Sequence, residues 1–182
     1  YYDYRDFQAL SFQGVTQTIF NTDAEIYGME FDITMNPWQG WEFLIGGNVM
    51  DATAEDVTAQ DGTTVRDRTM VLAPELSLNG LARYEWPAFS GHLAVQADFN
   101  FQTETFFDIQ NHPISAQEAY AIGNLRLGYA TNDGKLKVSA FVNNIADQDY
   151  KVYTFDFTGA FAFNQQFYGR PRWFGGTISY EF

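Results

Sequence analysis

Cysteine is absent from this 182-residue chain, which rules out a disulfide-stapled secreted scaffold while remaining compatible with an oxidising compartment. No run of about 18 apolar residues occurs, so a transmembrane helix is excluded. Basic residues are scarce. Ten Lys and Arg against 23 Asp and Glu leave a formal charge of -13, with no basic stripe to neutralise phosphates, so nucleic acid is not an expected partner. The same balance keeps cations close. There are only two histidines, His92 and His112, and neither has a cysteine or second histidine at ligand spacing, so this chain alone makes no transition-metal site. No serine has a matched base, and phosphate-cradling glycine loops and dinucleotide fingerprints are missing. Neither an enzyme nor a cofactor is expected. YYDYRDFQALSF lacks the basic start and apolar centre of a signal peptide, so the reading is either a processed chain or part of a larger product.

Aromatic residues, by contrast, are abundant, with 18 Phe and 11 Tyr, and 46% of residues are apolar, which excludes disorder. They fall into a period of two over eight segments. The first, 1–12, is poorly phased. In 25–35, Tyr27, Met29, Phe31, Ile33 and Met35 alternate with Ile26, Gly28, Glu30, Asp32 and Thr34. The segments 41–51, 75–86, 92–106, 120–131, 134–145 and 173–182 repeat the pattern, most clearly where Leu93, Val95, Ala97, Phe99 and Phe101 oppose Ala94, Gln96, Asp98, Asn100 and Gln102. A soluble antiparallel sandwich or barrel is the ordinary reading of such alternation. Three features favour a membrane wall instead.

The apolar faces persist for four to six alternations, near the nine to eleven residues that a tilted strand needs to cross hydrocarbon. Connections alternate in size: NPWQG (36–40), PAFSG (87–91) and NDG (132–134) are short, whereas those after the first segment and at 52–74, 107–119 and 146–172 are long. Short turns on one rim and long loops on the other are the signature of outer-membrane barrels, with the short rim periplasmic. Finally, Trp38, Trp41 and Trp86 gather at two short turns, with Phe89, Tyr129, Tyr180 and Phe182 near the same rim, as in an interfacial girdle. The phase predicts that Phe31, Phe43, Val95, Phe99, Leu125, Val138, Val142 and Ile178 face lipid. Carboxylate pairs such as Asp3 with Asp6 and Glu30 with Asp32 then line the inward face as wall polarity.

The last third resembles the closing strands of a TonB-dependent outer-membrane receptor. The residues that carry the likeness are Asn124, Arg126, Gly128 and Tyr129; the exit Asn143, Asn144, Ile145, Ala146, Asp147, Gln148 and Tyr150; and Gly169, Arg170, Pro171 and Arg172 leading to a strand that ends at Phe182. The resemblance is specific over about residues 120–182 and weaker upstream, where EIYGMEF (25–31) looks like a strand following a long external loop. It implies an all-β, antiparallel transmembrane β-barrel, with this chain giving about eight C-terminal strands of 22. Residues 1–182 would then be the C-terminal part of the barrel domain, with neither the plug domain nor the TonB box of the family in this chain.

The further implications are a Gram-negative cell outer membrane location and uptake of a scarce nutrient such as a siderophore, oligosaccharide or cobalamin. Implied partners are membrane lipid, the remaining barrel and plug, the inner-membrane energy-transducing TonB complex, and the assembly machinery that reads a terminal strand through Tyr180 and Phe182. The alternative is an independent eight-stranded structural or passive barrel, although inward glycines at 28, 46, 128 and 175 would fill so narrow a tube poorly. Two stretches stay open. Residues 51–67 hold Asp51, Glu55, Asp56, Asp61 and Asp67, either a solvated acidic loop or a calcium site without the EF-hand order. The final loop places Tyr150, Tyr153, Phe155, Phe157, Phe161, Phe163, Phe167 and Tyr168 together, either packed on neighbouring loops or presented to a small-molecule or glycan substrate.

Overall fold

The computed structural model describes residues 1–13, 16–59 and 61–182. Gly14 and Val15, in the first expected long connection, and Gln60, in the acidic stretch, lie outside the described residues. The strands are β1 (Tyr2–Gln13), β2 (Thr16–Met35), β3 (Trp41–Thr58), β4 (Val65–Thr69), β5 (Leu76–Ala88), β6 (Gly91–Gln102), β7 (Thr105–Phe106), β8 (Ala116–Gln117), β9 (Tyr120–Thr131), β10 (Leu136–Asn143), β11 (Lys151–Phe157), β12 (Phe163–Tyr168) and β13 (Trp173–Tyr180). One sheet runs β1-β2-β3-β5-β6-β9-β10-β13, every pair antiparallel, with β4 added beside the far end of β3. Eight strands therefore form the continuous path. Among the described residues β1 and β13 do not pair with each other, so the sheet is open.

The register places the expected apolar set on one face. Phe31 lies opposite Gly47, Phe43 opposite Ala82, Val95 between Tyr84 and Leu127, Phe99 between Gly80 and Gly123, and Val138 between Tyr129 and Ile178, while Val142 faces Leu125. This face is bare along much of its length: Met29 is 71% exposed, Leu127 48% and Ile178 76%. A continuous apolar surface of this extent is far more than a soluble monomer ordinarily shows. Gly80 fits its place because a Cβ there would come within 2.5 Å of the Phe99 ring, which lies across the neighbouring strand. Glu30, Asp32, Asn79, Arg83, Gln96, Asp98, Asn124, Arg126 and Lys137 occupy the opposite, polar face, as the period of two requires.

Three expectations change. The poor phase of the first segment is a β-bulge: register shifts between Tyr4 and Phe7, with Asp6 at φ 56, so one extra residue interrupts the alternation. Beyond it Phe7, Ala9 and Ser11 return to the polar-face side. Asp3 is not on the polar face. It pairs with Glu25 on the Tyr27 side, where Arg5 bridges Asp3 at 3.1 Å and Asp23 at 2.7 Å. The long connections are also largely strand. Pairing of β1 with β2 continues to Gln13 and Thr16, β3 runs on to Thr58 against β4, and the last loop holds the hairpin β11–β12 with a one-turn helix, Thr158–Phe161, at its tip.

The well-packed apolar core lies at the long-connection end, on the polar-face side. Ala9, Ala24, Ala52, Ala54, Val57, Met70 and Ile109 form it, and Ile109 and Ala54 are fully buried. Alanines suit this position because a second layer of chain lies directly over the strands there.

Candidate functional site at the long-loop rim

That second layer is the segment 103–119. Its carboxylate Asp108 accepts hydrogen bonds from Ser11 Oγ at 3.0 and 2.9 Å and from the Gln110 amide at 2.8 Å. Gln110 Nε2 donates to Thr58 O, while Asn111 accepts from the Thr69 amide and donates to Thr69 O at 2.8 and 2.9 Å. Ile109 is thereby drawn into the alanine-lined core. His112 accepts, through Nδ1, from the Ile114 amide at the start of the short turn Pro113–Ser115. The expected loop at 107–119 is therefore a folded cap across the upper polar face. Its signal in the sequence was only Asx and proline turn chemistry at Asp108, Asn111 and Pro113.

The hairpin β11–β12 stands on this cap. Lys151 donates its amide to Gln117 Oε1 at 2.6 Å and its ammonium to Ala116 O. Tyr150 stacks on Tyr120 with centroids 4.9 Å apart, and Tyr153 meets Phe107 at 5.8 Å. Gly169 follows directly beneath. A Cβ there would come within 1.9 Å of the Tyr150 ring, so the stack requires glycine. Along the hairpin, pairing sets Tyr153, Phe155 and Phe157 beside Phe167, Gln165 and Phe163, and Phe161 closes the tip with contacts at 6.4 and 6.0 Å. Tyr153, Phe155 and Phe157 are half-buried, whereas Phe161, Phe163, Phe167 and Tyr168 are exposed. The eight aromatic residues singled out in the sequence are thus one hairpin and its base. A cleft of about 450 Å³ separates the hairpin base from the cap, lined by Glu104, Asn111, Gln117, Glu118, Asp149 and Lys151 among others.

A buried polar knot ties this rim to the wall. Asn144, 3% exposed and at φ 51, donates through Nδ2 to Gln148 O and Arg170 O at 2.9 and 3.2 Å and accepts from the Gln148 amide at 2.9 Å. Its own amide donates to Asn124 Oδ1, and Asn124 Nδ2 donates to Asp98 at 2.6 Å. Arg172 closes the exit with its amide on Asp147 at 2.7 Å. The motif read as 143–150 plus 169–172 is therefore the hinge-like base from which the aromatic hairpin rises.

Elsewhere, Trp38, Trp41 and Trp86 do come together on the apolar face. Trp41 stacks on Phe43 at 5.3 Å and on Tyr84 at 4.7 Å, Tyr84 on Trp86 at 5.2 Å, and Trp38 meets Phe43 edge-on. Tyr180 and Phe182 touch at 5.2 Å beside this rim.

Among the described residues, no three of the acidic side chains of 51–67 gather as a cation site would need. Asp51 accepts from the hydroxyls of Tyr27 and Thr53, Asp67 from the Asp56 amide, and Asp61 from the amides of Thr63 and Thr64 and the Thr64 hydroxyl. Those donors, the Thr64 hydroxyl foremost, hold the Asp61 carboxyl well below the ordinary aspartate range. A carboxyl lowered in this way supports its turn above the unfolded-state value of about 3.9 and loses that support as pH falls through the lower folded value. Protection of the Thr64 amide should thus persist at pH 4 and disappear at that pH in Asp61→Ala. Equal exchange in the two proteins at pH 4 would refute the assignment.

The open antiparallel sheet shares its fold with a segment of several receptors of solved structure. The chain aligns over 97% of its length with the ferric yersiniabactin uptake receptor of Yersinia pestis, at a TM-score of 0.75 and 20% identity. It aligns over 98% with the ferric-catecholate import receptor of E. coli K12, at 0.68 and 19%, and over 96% with the ferric preacinetobactin receptor of Acinetobacter baumannii, at 0.67 and 14%. It spans 25%, 24% and 26% of those chains, about a quarter of each. No protein-family model matches the sequence.

Proposed function

We propose that this chain is the C-terminal part of the 22-stranded barrel of a TonB-dependent receptor, and that the whole protein is a transporter, not an enzyme. It would reside in the outer membrane of a Gram-negative cell and import a scarce nutrient, with ferric siderophores the leading class. The observation that carries this reading is the open eight-strand sheet with an uncovered apolar face, matched along almost its full length by receptors whose own names give ferric yersiniabactin uptake, ferric-catecholate import and ferric preacinetobactin, and by one named a siderophore receptor. In hydrocarbon every backbone amide needs a partner, so the free edges of β1 and β13 call for further strands. Phe31, Phe43, Val95, Phe99, Leu125, Val138, Val142 and Ile178 then meet lipid, and Trp38, Trp41 and Trp86 lie at the periplasmic interface. The polar face packs on a plug, the missing N-terminal part engages the energy-transducing complex, and Tyr180 and Phe182 serve assembly. An isolated eight-stranded barrel fits less well, because the sheet does not close on itself among the described residues.

Labelled ferric siderophore uptake by cells that depend on the full-length receptor tests the reading. Uptake should stop when the inner membrane is de-energised; uptake that continues unchanged favours a passive pore. Deleting 151–168 removes the exposed aromatic surface and should weaken siderophore binding by about tenfold or more, a loss of at least about 1.4 kcal/mol. Unchanged binding of every transported solute would show that the hairpin only packs.

A further inference from the structure

One carboxylate of the polar wall face makes no hydrogen bond with the aromatic hairpin and yet stands at the end of the string of side chains that holds it. Asp98 lies nearer the long-connection end of β6, paired with Leu81 on one side and Asn124 on the other. Arg83 and Arg126 share its face, but among the described residues it forms an ion pair with neither. Its carboxylate instead accepts from Asn124 Nδ2 at 2.6 Å and, more weakly, from Gln96 Nε2 at 3.4 Å.

The string has a direction. An ionised carboxylate only accepts, so Asn124 must turn its NH2 toward Asp98, which leaves its carbonyl for the other side. That oxygen accepts the Asn144 amide at 3.0 Å. The bond stands in for a rung of the sheet: the pairing of β9 with β10 ends at Leu125 and Val142, Asn144 turns to φ 51, and the Ile145 amide then donates to Gly123 O at 2.9 Å. With its backbone held so, Asn144 gathers Gln148 and Arg170, the two ends of the loop that carries the hairpin. Every member of the string belongs to this chain. If Asn124 turned its amide over, its NH2 would meet the Asn144 N–H, two donors with no acceptor between them, where Asn144 is 3% exposed.

We propose that Asp98 is the positioning residue of the aromatic hairpin: it fixes the sense of the Asn124 amide and, through it, the left-handed turn at Asn144 from which the hairpin rises. What the site needs from residue 98 is an acceptor and not a charge. Asparagine there can present its carbonyl to Asn124 and keeps the string, whereas lysine only donates and reverses the demand on Asn124. The consequence for solute binding rests on the uptake reading above; the positioning does not.

Hydrogen exchange of the full-length protein in lipid nanodiscs, read by mass spectrometry on peptides covering 144–150, tests this. Asp98→Leu should speed exchange there by about tenfold or more, Asp98→Lys by at least as much, and Asp98→Asn should stay within about threefold of the wild type. Asn100→Lys, on the same face of β6, should change it by less than about twofold, and peptides from β3 should exchange as in the wild type throughout, which shows that the wall itself stays folded. In Asn124→Ala, substitutions at Asp98 should have no further effect, because their link to the hairpin is gone. Wild-type exchange in Asp98→Lys overturns the proposal. So does an Asp98→Asn loss as large as that of Asp98→Leu, or an Asp98→Leu effect that persists undiminished in Asn124→Ala. Siderophore affinity is the separate readout: exchange in the expected order with unchanged affinity for every transported siderophore upholds the positioning and removes the hairpin from solute binding.

Discussion

Val95→Arg is expected to destabilise the full-length protein in lipid by about 2–4 kcal/mol, whereas Asn100→Arg costs less than about 1 kcal/mol. Val95 lies on the apolar face at mid-strand, between Tyr84 and Leu127, so in the orientation proposed above an arginine there would place a guanidinium in hydrocarbon. Asn100 lies exposed on the polar face between Asn79 and Ile122, so a long cationic side chain there points away from the apolar face. Gln96 is a poorer control, because it stands between Arg83 and Arg126 and a third cation would add repulsion. Guanidinium unfolding in vesicles is the measurement. Equal losses at the two positions would mean that the apolar face does not meet lipid.

Asn144→Ala is expected to cost about 2–3 kcal/mol, since net contributions of roughly 1 kcal/mol per hydrogen bond are lost together with a side chain suited to left-handed backbone. The bonds removed are those to Gln148 O and Arg170 O and the one accepted from the Gln148 amide, all in a site only 3% exposed. Asn144→Gly separates the two effects: it tolerates φ 51 but restores no bond, so it should recover only the conformational part. Because the knot also anchors both ends of the hairpin segment, the alanine variant should be cut faster by protease within 146–172. Wild-type unfolding and cleavage in Asn144→Ala would show that the motif does not hold the rim.

Much of the wall was legible in the amino-acid order. The alternation through Phe31, Val95 and Val138 assigned faces that the register reproduces, because a period of two is a property of the strand itself. Short turns at 36–40 and 132–134 were equally visible, as glycine at φ 82 and φ 72 closes them. The bulge at Asp6 was legible only as noise: one inserted residue moves later side chains to the other face, and no local residue type announces it.

The aromatic hairpin shows the same division. Its alternation at Tyr153, Phe155 and Phe157 could have been read as strand, but Phe161 and Phe163 continue the run through a turn of helix, so composition dominated the pattern.

By itself, then, the sequence determined the period, the two faces, the short turns and the resemblance over about residues 120–182. Each rests on neighbouring residues or short spacing. Tertiary structure alone decided that 103–119 folds back over the upper wall, because Ser11 meets Asp108, and Thr69 meets Asn111, only after distant strands have paired. It also decided that Asp98, Asn124 and Asn144 form one string, since β6, β9 and the end of β10 bring them together through backbone hydrogen bonds that any side chain in those positions would permit.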